Sequence, residues 1–219
     1  MVALVQTFTG TGLPPGFGKL GRVRFLKSYR YSNLDAINGT NVEDGAIVLP
    51  QTSDRFCLID GPEHGGSGVR VSDPPGADMT GHYVNHNDGT VTRAIVGGGL
   101  HWAGVTVPPG GKVQFHYIFL RGQQANPYNC FAQFRAVGND GIEKLRRTFA
   151  QTMIPGDLEV GPYFRWRAHP VIEFPDGFTG NLQWLVAQGE RMNLTQNVIS
   201  NNAKLHPSGL ALDFISIIP

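Results

Sequence analysis

Chemistry in this chain would have to come from a few scattered side chains. Arg165, Trp166 and Arg167 form the most suggestive triplet, with Tyr163 two positions before it. Successive side chains of a strand point to opposite faces, so two arrangements follow. If Phe164, Trp166 and Ala168 face inward, Arg165 and Arg167 make an exposed cationic strip beside Tyr163. Such a strip binds carboxylates or stacks on rings. In the opposite register Trp166 is exposed and becomes a platform for a sugar ring. Tyr163, Arg165, Trp166 and Arg167 are therefore the candidate ligand-binding residues. No catalytic residue and no metal ligand is assigned.

Other candidates have simpler readings. His82 and His86 lie four apart, which on a strand means one face and a separation of about 13 Å. That is too far to share one metal, so they read as hairpin surface residues. His64 adjoins Glu63 before Gly66-Ser67-Gly68. The Gly-x-Ser-x-Gly spacing of a nucleophile elbow is missing, and the stretch reads as a flexible loop. Asn87 and Asp88, and Asn139 and Asp140, carry oxygens of the kind calcium takes. They lack an EF-hand spacing, and turn chemistry accounts for them. Cys57 and Cys130 are the only cysteines, too few for a zinc site, and are expected as reduced core residues. Two glycosylation acceptor patterns, at Asn38 and Asn193, mean little without a secretory signal. No phosphate loop, dinucleotide fingerprint, zinc motif or paired-carboxylate signature is present. The expectation is a protein that is not an enzyme and uses no cofactor.

Composition narrows the class. The chain has 219 residues, 18 Lys and Arg against 17 Asp and Glu, and a net charge of +1. Charged residues make up 16%, against roughly 25% in an average soluble domain. Lys144, Arg146 and Arg147 are too short a basic cluster for a nucleic-acid partner, so none is expected. No apolar run reaches the length of a membrane span. The first residues lack the basic region and long apolar core of a secretory signal.

The elements that must position these residues are strands. Val113, Phe115, Tyr117 and Phe119 alternate with Gln114, His116, Ile118 and Leu120, and Cys130, Ala132, Phe134 and Ala136 alternate with Phe131, Gln133, Arg135 and Val137. A second layer must cover the aromatic face of these two strands. Asn87-Asp88-Gly89 marks a hairpin. Gly97, Gly98 and Gly99 read as a strand break, and the chain would be cut there if it were cut at all. Residues 141–153 are the one helical candidate, with Ile142, Leu145 and Phe149 at helical spacing, although 147–153 could equally be a strand. In the final strand Leu210, Leu212, Phe214 and Ser216 share one face. Phe115, Tyr117, Phe134, Trp184, Leu212 and Phe214 are expected in one core. The expected fold is all-β: a jelly-roll-like β-sandwich over residues 23–219, less regular towards its start, preceded by an extended arm at 1–22. Residues 9–18 carry no apolar periodicity, so a neighbouring subunit is the expected support for them.

The stretch 115–120 followed by 126–132, the segment 179–184 and the close at 207–217 resemble the strands of jelly-roll modules. These include carbohydrate-binding-type domains and the decoration and fibre proteins of bacteriophage virions. The resemblance covers residues 100–219. It implies an architecture; the lack of a signal, the few charges and the all-β pattern lead to the expectation of a structural protein of a virus particle (a decoration, fibre or tail component) located in the virion. Its expected partners are other virion subunits or copies of itself, with a trimer favoured by analogy. The alternative is a carbohydrate-binding module or lectin-like adhesin that meets a surface glycan with its aromatic residues.

Overall fold

The computed structural model describes residues 3–30, 47–60, 77–79, 81–120, 128–151, 165–193 and 208–219, and every regular element in them is a strand. Tyr163, His64 and Ser67 lie outside the described residues. The first half holds β1 (Leu4–Thr7), β2 (Phe17–Leu20), β3 (Arg22–Leu26), β4 (Tyr29–Arg30), β5 (Ile47–Val48), β6 (Phe56–Asp60), β7 (Ala77–Asp78) and β8 (Tyr83–Asn85). The second holds β9 (Thr90–Val107), β10 (Gly111–Leu120), β11 (Tyr128–Gly138), β12 (Glu143–Gln151), β13 (Arg167–Ala168), β14 (Ile172–Phe174), β15 (Phe178–Asn193) and β16 (Gly209–Ile218).

Two antiparallel sheets face each other. Sheet I runs β13-β10-β16-β6-β3, with β1 on β16 and β14 on β10. Sheet II runs β12-β11-β15-β9-β2, with β7 and β8 on β9, and β4 and β5 form a separate pair. The two aromatic strands read from the sequence stand in opposite sheets, β10 in sheet I and β11 in sheet II, and cover each other. The Phe115 ring stacks on Phe134 at 5.8 Å, and Trp184 of β15 meets both edge-on. Phe115, Tyr117, Phe134, Trp184 and Leu212 share this core, as expected, and Trp102 joins them. Cys57 and Cys130 are buried core thiols with no disulfide between them. Two smaller apolar clusters lie on the outer faces: Phe56, Leu58 and Ile118 on sheet I, and Met79, Phe131 and Leu185 on sheet II.

Four departures from the sequence reading have physical causes. Residues 143–151 form strand β12, not helix. Its pairing with β11 slips twice, from Val137↔Glu143 to Ala136↔Leu145 and from Gln133↔Thr148 to Ala132↔Ala150. Leu145 and Phe149 are four apart, a spacing that shares one face in a strand as in a helix, and both pack inward from β12, whereas Ile142 precedes the strand and is exposed. Strand β9 runs straight through Gly97, Gly98 and Gly99. These glycines allow close approach: a Cβ at Gly97 would lie 2.0 Å from the Val186 carbonyl oxygen.

The third departure is in β16. Phe115 faces Ile215 but Tyr117 faces Leu212, so β16 carries an extra residue there. The bulge lets Leu210, Leu212, Ile215 and Ile217 all point inward. It turns Phe214 out of the core, against the His116 ring at 5.1 Å. The fourth concerns the lead-in, which the chain's own sheets hold. Phe8 is buried, Phe17 stacks on Trp102 at 4.9 Å, and Ala103 N–H donates to the Gly16 carbonyl at 2.8 Å.

Candidate functional site

The Arg165–Arg167 triplet sits on the outer side of sheet I. Arg165 is exposed, and Trp166 and Arg167 are half-buried. Neither arrangement read from the sequence describes Trp166 fully. Its ring covers the small outer cluster, edge-on to Phe56 at 5.7 Å, and its Nε1–H donates to the Leu49 carbonyl at 2.7 Å. One side of the indole is thus committed to packing while part of it meets solvent. Arg167 pairs in register with Tyr117 at the margin of β10.

The two histidines four residues apart part company. His86 is buried in the hairpin turn, its Nε2 2.8 Å from the Thr92 hydroxyl. His82 lies just before β8, where its N–H donates to the Met79 carbonyl. That placement carries its ring to Arg135 of β11, whose Nη1 donates to His82 Nδ1 at 3.3 Å. Burial first, then the charges of Arg135 and Arg146, push the His82 pKa down to about 4, with Glu143 opposing. The ring is neutral at pH 7. Because Nδ1 accepts from Arg135, its proton sits on Nε2.

Arg135 anchors a polar network on the outer face of sheet II. Its Nε donates to Glu143 Oε2 and its Nη1 to Gln183 Oε1 at 3.2 Å. Glu143 also accepts from Arg146 twice, at 2.8 and 3.0 Å. Arg146 lies over the Tyr83 ring, 4.3 Å from its centroid. Partial burial works against ionising Glu143, but the bonds from Arg146 and Arg135 win and hold its pKa below the usual carboxylate value. Beside this network is a pocket of about 230 Å³ lined by Lys19, Leu20, His82, Gly99, Leu100, His101, Arg135, Gln183 and Leu185. Gly18 is what lets the His101 ring lie flat on β2, since a Cβ there would fall 2.1 Å from His101 Nε2. Sequence reasoning missed this pocket. Its members are spread over 167 positions, from Lys19 to Leu185, and no local spacing joins them.

The turn residues weighed for calcium are occupied by turn bonds. Asp88 Oδ1 accepts from Thr90 N–H at 3.0 Å and from its hydroxyl at 2.6 Å. Asp140 Oδ1 accepts from Ile142 N–H and its Oδ2 pairs with Lys144 at 2.7 Å, a bond that lowers its pKa. Asp213, displaced by the β16 bulge, is fully buried. Its carboxylate accepts from Gln51 N–H at 2.5 Å, Thr52 N–H at 2.6 Å and the Ser53 hydroxyl at 3.0 Å. It fastens the 51–53 turn to the last strand. His169 is buried between the sheets and stacked on Phe115 at 4.5 Å, and burial lowers its pKa.

Apolar groups are exposed at two strand edges. Leu4 and Val5 of β1 are 53% and 49% exposed, and Ile47 and Leu49 at β5 are 55% and 57% exposed. Among the described residues β1 pairs along its length with β16 alone, and β5 with β4 alone.

No family model and no curated protein matches the chain. Among solved structures it is similar to the K3 cleaved adhesin domain of Lys-gingipain from Porphyromonas gingivalis w83. That likeness is at 12% identity over 99% of this chain and 98% of that one, with a TM-score of 0.44. The C-terminal CBM6 of the laminarinase LamC from Zobellia galactanivorans is similar at 11% identity over 63% of this chain and 87% of that one, TM-score 0.28. The enzymatically active domain of tailspike protein 4 from bacteriophage CBA120 is similar at 12% identity over 91% of this chain and 18% of that one, TM-score 0.34. The chain is an all-β sandwich of two facing antiparallel sheets.

Proposed function

We propose that this chain is a non-enzymatic structural protein of a virus particle, a decoration, fibre or tail component of a bacteriophage. It works by packing against other subunits or copies of itself. The supporting observation is the edge of β1. Its four residues, Leu4, Val5, Gln6 and Thr7, carry no charge, its outer edge has no partner among the described residues, and its two apolar side chains are about half exposed. Chains that stay apart blunt such an edge with Lys, Pro or a bulge. An uncharged edge instead takes up a strand from a neighbour and satisfies its backbone N–H and C=O groups there. Low overall charge fits a surface covered in an assembly. A closed ring of subunits uses every such edge, and a trimer is the form we favour.

Immunogold labelling of particles purified from the natural source tests the virion assignment. Label at regular positions on the particle is expected. A chain found only in the soluble fraction, with unlabelled particles, removes the structural reading. A second reading, a carbohydrate-binding module, is supported by the half-buried Trp166 beside exposed Arg165. It expects glycan binding that Trp166→Ala abolishes, with Tyr163, Arg165 and Arg167 contributing.

A further inference from the structure

The pocket on the outer face of sheet II goes beyond assembly. We infer that it binds a small ligand carrying one carboxylate on a ring with an apolar face, of the kind an acidic sugar provides. The polar lining is dominated by donors. Arg135 Nη2 and the His82 Nε2–H make no hydrogen bond among the described residues. Among the described residues no carboxylate lines the pocket. The nearby Glu143 is taken up by Arg135 and Arg146, so these two arginines against Glu143 leave one positive charge in excess (two minus one). An acceptor-rich anion is the complement of such a set. Leu20 and Leu185 supply a wall for the C–H face of a ring. Gly99 keeps that wall open, since a Cβ there would press within 2.6 Å of Leu185 Cδ2. The volume suits one ring, being below the range of drug-sized pockets.

The occupant should be felt by His82. The groups facing its ring are Arg135 of β11, Arg146 and Glu143 of β12, and across the pocket His101 of β9 and Gln183 of β15. An anion arriving among them offsets the arginine charges and favours the imidazolium. By linkage the ligand then binds more tightly as pH falls, by about fourfold between pH 7 and pH 5 if the anion acts at close range.

The test is histidine imidazole NMR on the labelled full chain, titrated with D-glucuronate, acetate, inorganic phosphate and D-glucose. Glucuronate should shift the His82 resonances saturably and raise its titration midpoint, and glucose should leave them unchanged. Glucuronate tighter than acetate identifies an acidic sugar, whereas equal affinities identify a simple carboxylate, and both support the site. Leu20→Asp, at an exposed edge of the pocket, adds a like charge and should weaken binding at least fivefold with an unchanged spectrum elsewhere. The inference is overturned by glucose binding as well as glucuronate, by phosphate binding more tightly than either carboxylate, by silence of His82 throughout, or by Leu20→Asp binding normally. None of these outcomes bears on the edge of β1, so the assembly reading stands or falls separately.

Discussion

Replacing Trp184 by alanine should cost about 3–5 kcal/mol, and replacing it by phenylalanine should cost almost nothing. Trp184 is fully buried, with Phe115 at 5.8 Å and Phe134 at 5.5 Å packed against its ring. Alanine leaves a cavity that strands of two sheets cannot collapse to fill. Phenylalanine removes roughly 40 Å³, worth about 1 kcal/mol at the usual cavity cost. It also removes a liability, because the indole Nε1–H is buried with no acceptor among the described residues. An unsatisfied buried donor costs about 1–3 kcal/mol, so the two changes offset each other. The phenylalanine variant should fall within about 1 kcal/mol of the parent, or about 2–4 °C in Tm for a chain of this size. Urea unfolding followed by near-ultraviolet dichroism reads both variants, with Trp102 and Trp166 still present as reporters. If phenylalanine destabilises as much as alanine, Nε1 has an acceptor and the reasoning fails.

Asp213→Ala should destabilise by about 2–4 kcal/mol in urea unfolding, since it strands the donors of Gln51, Thr52 and Ser53. Faster protease cleavage near residue 50 should accompany it. Gly97→Ala should cost at least about 2 kcal/mol, because its Cβ would meet the Val186 carbonyl, whereas Gly12→Ala, facing open space, should be near neutral by the same assay. His82 binds its proton in the unfolded chain near 6.5 but in the folded chain only near 4. The stability it contributes is fully present above 6.5 and is lost as pH falls through that window, because the unfolded state takes up the proton first. The Tm of His82→Gln should therefore fall less than that of the parent between pH 6.5 and pH 4, and identical slopes would contradict the burial of His82.

Much of the fold was legible because period two is a strong signal where one strand face is buried. Phe115, Tyr117, Phe134 and Trp184 point where their alternation put them. The signal failed in β12, where Leu145 and Phe149 share a face in a strand and in a helix alike, and at Asp213 in β16, where a bulge changes the alternation without a local composition cue. It also failed at Gly97, where glycine marks a close approach of β15 and the strand continues. The pocket was illegible for a different reason. His82 and Arg135 are 53 positions apart, and only the folding of residues before β8 over β11 brings them together. Trp166 was legible as an unusual residue, but its bond to the Leu49 carbonyl depends on β5, remote in sequence.

The most direct measurement is the mass of the purified chain in solution, by light scattering across a range of concentrations, for the parent and for a Leu4→Lys, Val5→Lys double variant. Charges at this edge should block strand pairing without touching the core, since both side chains are about half exposed. The account predicts a discrete oligomer, a trimer being favoured, that falls to a folded monomer in the variant. A parent that stays monomeric at every concentration and fails to bind purified particles would contradict it.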